Sequence, residues 1–268
     1  MTTKAPVIDI RQISKIYGSK KENQVYALNH ISFTMQEGEF IGIMGASGSG
    51  KTTLLNVIST LDNATEGTIA IAGTDITRMK AHELSDFRAQ RLGFIFQDFN
   101  LLDNLTVFEN IALPLSLQNV PASEIRSRVQ RVMENLGILA LAEQYPAMIS
   151  GGQRQRTAAA RAIVHEPALL LGDEPTGALD LKNAVGLLET MKRLNEEQRI
   201  SILMVTHDAF SASYCGRILF IQDGELVKEL HRTGSRESFY KQILDMLGDY
   251  GASAAAAAAV QWHGSERQ

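Results

Sequence analysis

The sequence predicts an α/β fold: a mostly parallel sheet with helices on both faces. Three patterns point to it. Phe40 to Met44 is almost wholly apolar and runs straight into Gly45-Ala46-Ser47-Gly48-Ser49-Gly50, after which a helix begins near Lys51. From Ala168 onward, apolar strands alternate with helical patterns, as a parallel sheet covered on both faces requires. Between these regions, a stretch of about 98–155 has helical periodicity and reads as an inserted helical subdomain.

The elements follow in order. Val7 to Ile16 and Ala27 to Met35 read as strands, and Glu37-Gly38 turns the second into the apolar strand Phe40 to Met44. Thr68 to Ala72, with Gly73, reads as a short hairpin. The opening thus joins antiparallel edge strands to the first strand of a parallel core. In the middle, Thr106-Val107-Phe108-Glu109 is a capping box that satisfies free N–H groups at a helix start. Ala122 to Leu136 carries Ile125, Val129, Val132, Met133 and Leu136 on one face, and Gly137 stops it. Pro114, Pro121 and Pro146 punctuate the region. Later come a strand at Ala168 to Leu171, a helix at Leu181 to Leu194, a strand at Ile200 to Val205 and a short helix at Ala209 to Tyr214. The strands Arg217 to Gln222 and Glu225 to Leu230 are joined by the turn Asp223-Gly224. Arg236 to Leu247 reads as a further helix, placing a C-terminal helical extension at 233–250. The alanine-rich stretch 251–268 reads as a disordered tail outside the fold.

Composition narrows the function. Apolar residues make up 44% and charged residues 21% of 268, a globular balance that argues against global disorder. Twenty-six basic residues against thirty acidic ones give a net charge of −4, which argues against a nucleic-acid binder. Cys215 is the single cysteine, so an intrachain disulfide or a cysteine-based zinc site is excluded. The opening residues do not read as a signal peptide, and no stretch approaches the roughly 20 apolar residues of a membrane span. A membrane role would have to run through a partner.

Gly45-Ala-Ser-Gly-Ser-Gly50-Lys51-Thr52 is a complete P-loop between a strand and a helix. Its glycines let backbone N–H groups turn toward phosphate oxygens, and the helix start adds partial positive charge. The nucleotide-binding candidates here are Gly45, Ser47, Gly48, Ser49, Gly50, Lys51, Thr52 and Thr53, with the Thr52 hydroxyl on Mg²⁺. Asp173-Glu174 ends the apolar run Leu169-Leu170-Leu171-Gly172, at the edge where such sheets bind ligands. Asp173 can hold Mg²⁺, and Glu174 can orient or deprotonate a water. Gly172 is odd inside a strand. These motifs define an ATPase without saying which kind. Ile149-Ser150-Gly151-Gly152-Gln153 adds a second anion-binding helix start, which one P-loop does not need for its own nucleotide. It makes sense as a cap on ATP held by another copy.

With these residues in place, about 7–230 resembles the ATP-binding-cassette ATPases, with Ile149 where leucine is commoner. The resemblance implies a P-loop NTPase (RecA-like) core with an antiparallel β subdomain and an inserted helical subdomain, together spanning 1–232. It implies that Tyr17 stacks on adenine and that Gln97 reaches Mg²⁺ or the water. It further implies that Asp180, in Gly177-Ala178-Leu179-Asp180, crosses a dimer interface and that His207 contacts the γ-phosphate. Ser150, Gly151, Gly152 and Gln153 would face the ATP of the other copy. Glu174, His207 and Gln97 are then the catalytic candidates; Thr52, Gln97 and Asp173 are the metal candidates.

A narrower resemblance rests on Gly93-Phe-Ile-Phe-Gln-Asp-Phe-Asn-Leu-Leu-Asp-Asn-Leu-Thr-Val, Asp173-Glu-Pro-Thr-Gly-Ala-Leu-Asp, Ser213-Tyr-Cys-Gly-Arg and Ser238-Phe-Tyr-Lys-Gln-Ile-Leu. These look like the ATPase subunits of bacitracin-resistance transporters, a group beside the lipoprotein-release, macrolide-export and cell-division cassettes. The likeness implies a second copy of the chain, a permease with a large extracellular domain, and often a sensor histidine kinase. It places the chain at the cytoplasmic face of the membrane. A soluble cassette acting on DNA or ribosomes is disfavoured, because the chain has neither a long coiled coil between its motifs nor a second cassette. A non-transport signalling module remains open, since it would need the same motifs. Phe99, Leu101, Leu102 and Leu105 either seat a helix of the permease or fill the helical subdomain's own core.

Overall fold

A computed structural model describes residues 5–18, 23–96, 98–177 and 179–248. It contains two sheets. The first joins β1 (Ile8–Tyr17), β2 (Val25–Met35), β4 (Glu66–Ile71) and β5 (Thr74–Asp75) in the order β2-β1-β4-β5, all antiparallel. The second has the order β10-β9-β3-β8-β7-β6. Here β3 (Phe40–Met44), β6 (Leu92–Ile95), β7 (Leu169–Asp173), β8 (Ile202–Val205) and β9 (Arg217–Gln222) are parallel, and β10 (Glu225–His231) is an antiparallel edge.

The apolar runs of the parallel strands have a simple cause. Side chains alternate across a sheet, and both faces of this one are buried. Ile41, Ile43, Leu169, Leu171, Leu203 and Val205 face one core, shared with the antiparallel sheet and α1 (Lys51–Ile58). Phe40, Met44, Leu170, Ile202 and Met204 face a second core. That core is built with α3 (Val107–Leu117), α4 (Ala122–Asn135), α5 (Gly151–Ile163) and α6 (Leu181–Gln198). Thr106 caps α3 as expected, its hydroxyl accepting from Glu109 N at 3.2 Å while the Glu109 carboxylate accepts from Thr106 N at 2.8 Å. On α4, Val129 and Met133 are fully buried, and Ile125 and Val132 pack against them.

Several boundaries differ from the sequence reading. Helix α2 (Ala81–Arg91) and strand β6, which follows it directly, fill a stretch where no element was expected. Pro114, one of the prolines that punctuate this region, lies inside α3. Helix α6 extends four residues beyond Leu194, to Gln198, where Arg199 at φ 55° ends it. The short helix α7 covers only Ala209–Ala212. Residues 236–248 are helical, and Phe239 and Ile243 are buried in the second core. The guanidinium of Arg236 lies 4.4 Å from the Tyr214 ring. The alanine-rich tail, Gln97 and Ala178 lie outside the described residues.

Candidate nucleotide site

The topology gathers the chemistry. Strands β3, β8, β7 and β6 are neighbours and run in one direction, so their C-terminal ends share one edge of the sheet. The P-loop leaves β3 there, His207 follows β8, and Asp173-Glu174 ends β7. Gly50 shows why the loop needs its glycines. Its φ is 103°, and a Cβ there would lie 2.4 Å from the Ala27 carbonyl oxygen. Gly172 has a packing reason: a Cβ would press on the Pro175 ring at 3.3 Å.

Lys51 is buried, and its ammonium donates to the carbonyls of Gly45 (2.9 Å) and Ala46 (2.8 Å). Burial pushes its pKa down, and the charges of Glu174 and Asp173 oppose that shift. Burial pushes Asp173 up; the Glu174 charge adds to the rise and Lys51 opposes it. Asp173 Oδ1 and Ser49 Oγ are buried and have no hydrogen-bond partner within the chain. Glu174 adopts φ 45°. Its N–H donates to Val205 O at 2.9 Å, tying the turn to β8, and its Oε1 lies 2.8 Å from His207 Nδ1. Lys51, Asp173, Glu174 and His207 therefore form one group. Tyr17, at the end of β1, hydrogen-bonds to Asp62, beyond the C-terminal end of α1.

A second group is built on two helix starts. Ser150 caps α5 and exchanges bonds with Gln153. Asp180 caps α6, accepting from Asn183 N (2.9 Å) and Nδ2 (2.8 Å). The Asn183 side chain lies against Gly151 and Gly152, and Gln155 Nε2 donates to Asn183 O at 2.8 Å. Sequence reasoning singled out Ser150–Gln153 and Asp180 but missed Asn183 and Gln155, which lock the two helix starts together. Leu181 and Met148, among the most exposed apolar side chains, lie beside this group in the chain.

A groove of about 470 Å³ lies where α2, β6, α3 and the end of α5 meet. Leu61, Phe94, Phe96, Leu113 and Leu117 line it, with Arg88, Arg161 and His165 among them. Arg161 donates to the Phe99 carbonyl at 2.7 Å and also bonds the Asn100 carbonyl, pinning two residues with left-handed backbones. Leu102 is exposed, and Phe99, Leu101 and Leu105 are only half-buried. The groove residues Leu61, Phe96, Leu113 and Leu117 were not singled out by the sequence. Only Phe96 stood in a quoted motif, because the groove is assembled from distant segments.

A P-loop at the edge of a parallel sheet, with an acid pair and a histidine on neighbouring strand ends, defines a nucleotide hydrolase of the P-loop class. The comparisons narrow this. The family model "ABC transporter" matches residues 28–177. The chain is 49% identical over 246 residues to the bacitracin export ATP-binding protein BceA of Halalkalibacterium halodurans, covering 91% of this chain and 97% of that protein. It is 48% identical over 250 residues to the ABC transporter ATP-binding protein YxdL of Bacillus subtilis, covering 93% and 96%. The dimeric post-hydrolysis structure of the ATP-binding cassette MJ0796, bound to ADP and Pi, matches with TM-score 0.72 and 37% identity, covering 85% of this chain and 100% of that one. This chain belongs to the ABC transporter family. It is an ATP-binding, ATP-hydrolysing cassette.

Proposed function

We propose that the chain is the ATPase subunit of a bacterial transporter that confers resistance to cell-wall-targeting peptide antibiotics such as bacitracin. Two copies close around two ATP molecules and drive a permease. The observation that carries this reading is the separation of the site into two groups. The P-loop, Asp173, Glu174 and His207 can hold and cleave one ATP. The paired helix starts at Ser150–Gln153 and Asp180 present N–H groups and partial positive charge suited to the γ-phosphate of an ATP on the other copy. The likeness to the bacitracin export protein supports the choice of transporter.

In this reading, Gly45, Ser47, Gly48, Ser49, Gly50, Lys51, Thr52 and Thr53 cradle the phosphates, and Tyr17 stacks on adenine. The buried, unpartnered Asp173 Oδ1 fits a divalent cation, which would restore the interactions that burial denies it. Thr52, Asp173 and Gln97 would hold Mg²⁺, which when bound neutralises charge on the β- and γ-phosphates. Glu174 accepts the proton of the attacking water, and His207 fixes the Glu174 carboxylate and reaches toward the γ-phosphate. No helix among the described residues is long and apolar enough to cross a membrane. In this reading attachment to the cytoplasmic face runs through the permease, which carries a large extracellular domain and works beside a sensor histidine kinase. The groove between α2 and α3 is the seat for a permease helix.

The test is ATP hydrolysis by the chain and its co-expressed permease in lipid vesicles, with and without bacitracin. Stimulation by the peptide, lost in Glu174→Gln, is expected. Turnover that is indifferent to peptide antibiotics would point to the macrolide-export or signalling alternatives. Full turnover in Glu174→Gln would remove the residue from its role.

A further inference from the structure

We propose that Lys15 and Asp62 form a positioning pair that presents the Tyr17 ring to the nucleotide base and strengthens base binding without touching the base; this rests on the reading of Tyr17 as the stacking residue. Lys15 and Tyr17 are two residues apart on β1, so they lie on one face of the strand. Three interactions then converge. The Tyr17 hydroxyl donates to Asp62 Oδ2 at 2.7 Å. The Lys15 ammonium donates to Asp62 Oδ1 at 2.5 Å and to the Asn63 carbonyl at 2.8 Å. The same ammonium sits 4.8 Å from the centre of the Tyr17 ring, within cation–π range. One face of the ring is thereby occupied, while the residue stays 42% exposed.

Asp62 is not a loose surface acid. The N–H groups of Leu61 and Asp62 both donate to Asn56 O, at 2.9 and 3.1 Å, so the carboxylate is fixed to the C-terminal end of α1. The start of α1 is the phosphate-binding loop. Lys15 and Asp62 thus reference a ring on the antiparallel sheet to the helix that reads the phosphates. A solvated surface pair would contribute little, but the Lys15 side chain is only 12% exposed. The titration of the groups agrees. Burial raises the Asp62 pKa, yet the bonds from Lys15, Tyr17 and Asn63 outweigh it and hold the carboxyl below its ordinary value. The hydrogen bond to Asp62 raises the Tyr17 phenol, with burial adding to the rise and Thr53 opposing it. A ring held this way has lost its freedom before the base arrives, so stacking is not offset by the entropy of ordering it.

The experiment is calorimetric titration of the full chain with ATP, CTP and tripolyphosphate. Lys15→Met and Asp62→Ala are expected to weaken ATP by roughly three- to tenfold, the scale of a partly desolvated cation–π and stacking arrangement. Tripolyphosphate, which has no base, should bind as in wild type, and CTP, whose base also stacks, should weaken with ATP. Lys15→Arg, which keeps a cation over the ring and a donor to Asp62, should recover most of the ATP affinity. Equal weakening of ATP and tripolyphosphate would mean that the pair merely supports the fold, and the proposal fails. Unchanged ATP affinity also overturns it. Tyr17→Ala separates the two readings. If it leaves the ATP-to-tripolyphosphate affinity ratio unchanged, stacking itself is wrong; if it lowers the ratio while Lys15→Met does not, only the positioning pair is wrong.

Discussion

His207 Nδ1 lies 2.8 Å from Glu174 Oε1, across the ends of two adjacent parallel strands. An ionised carboxylate only accepts, so Nδ1 carries the proton in this contact, and Nε2 donates to a phosphate oxygen only when it is protonated as well. The His207 N–H also points at Glu174 Oε2, at 3.4 Å. Glu174 adopts φ 45°, a conformation that costs a non-glycine residue energy and persists where its surroundings enforce it. The carboxylate is therefore held at the P-loop edge by the strand behind it and by the imidazole beside it.

Glu174→Gln keeps the size of this side chain and its contact with His207 but removes the base. Turnover should fall by about 10²- to 10⁴-fold, the usual worth of a positioned general base, while ATP affinity stays near wild type. His207→Ala should lower turnover by a smaller factor, because the base remains but is no longer held. Single-turnover hydrolysis alongside ATP titration checks both. A large loss of ATP binding in Glu174→Gln would show that the residue serves the ground state.

Lys51 gives a second expectation. Without nucleotide, its ammonium is buried against two carbonyls, and burial lowers its pKa. Lys51→Met removes a desolvated charge, so the nucleotide-free variant should melt at or above the wild-type temperature. MgATP at about 100 times Kd should raise the wild-type Tm by roughly 5–10 °C, and this rise should vanish in the variant. Differential scanning calorimetry with and without MgATP reads both effects.

Asp173 predicts a pH dependence. Its pKa is raised, first by burial and then by Glu174. The folded chain thus binds this proton more readily than the unfolded chain. Ionised Asp173 lowers stability above the folded pKa, and the penalty disappears as pH falls through that value toward the ordinary carboxylate pKa. Asp173→Asn should stabilise the nucleotide-free chain at neutral pH, with the gain shrinking in acid. The same variant should lose the Mg²⁺ dependence of ATP binding. Urea unfolding at several pH values checks the first expectation, and ATP titration with and without Mg²⁺ checks the second. A gain independent of pH would show that the carboxylate's charge is not the cause.

The P-loop, Asp173-Glu174, the Ser150 cap and the buried strands were legible because each rests on local rules: glycine spacing, a capping hydroxyl, an apolar run ended by an acid. What stayed hidden was either weakly patterned or assembled at a distance. Helix α2 buries only Leu84 and Phe87, so it has no apolar stripe to read. Strand β6 has four residues and follows α2 without a turn signal. The tie between Asp180 and the Ser150 helix start runs through Asn183 and Gln155, 28 residues apart. Residues 61, 94, 113 and 117 meet in the groove only after the chain has folded.

That groove supplies the last expectation. Leu117 is 73% exposed and Leu61 is 61% exposed, so neither contributes much to the core. Substitutions at such positions usually change stability by no more than about 0.5 kcal/mol. Leu117→Glu and Leu61→Glu should therefore fold, bind ATP and melt as wild type does. If the groove seats a permease helix, a carboxylate placed there must be desolvated on docking, among apolar side chains that cannot pair with it. Each variant should lose co-purification with the permease and peptide-stimulated ATPase, and keep nucleotide binding. Arg88, already bonded to Thr60, and Arg161, already bonded to Phe99 and Asn100, have limited freedom to neutralise the new charge. Normal assembly with both glutamates present would place the permease contact elsewhere on the cassette, with the half-buried string at Leu101 and Leu105 the next surface to test.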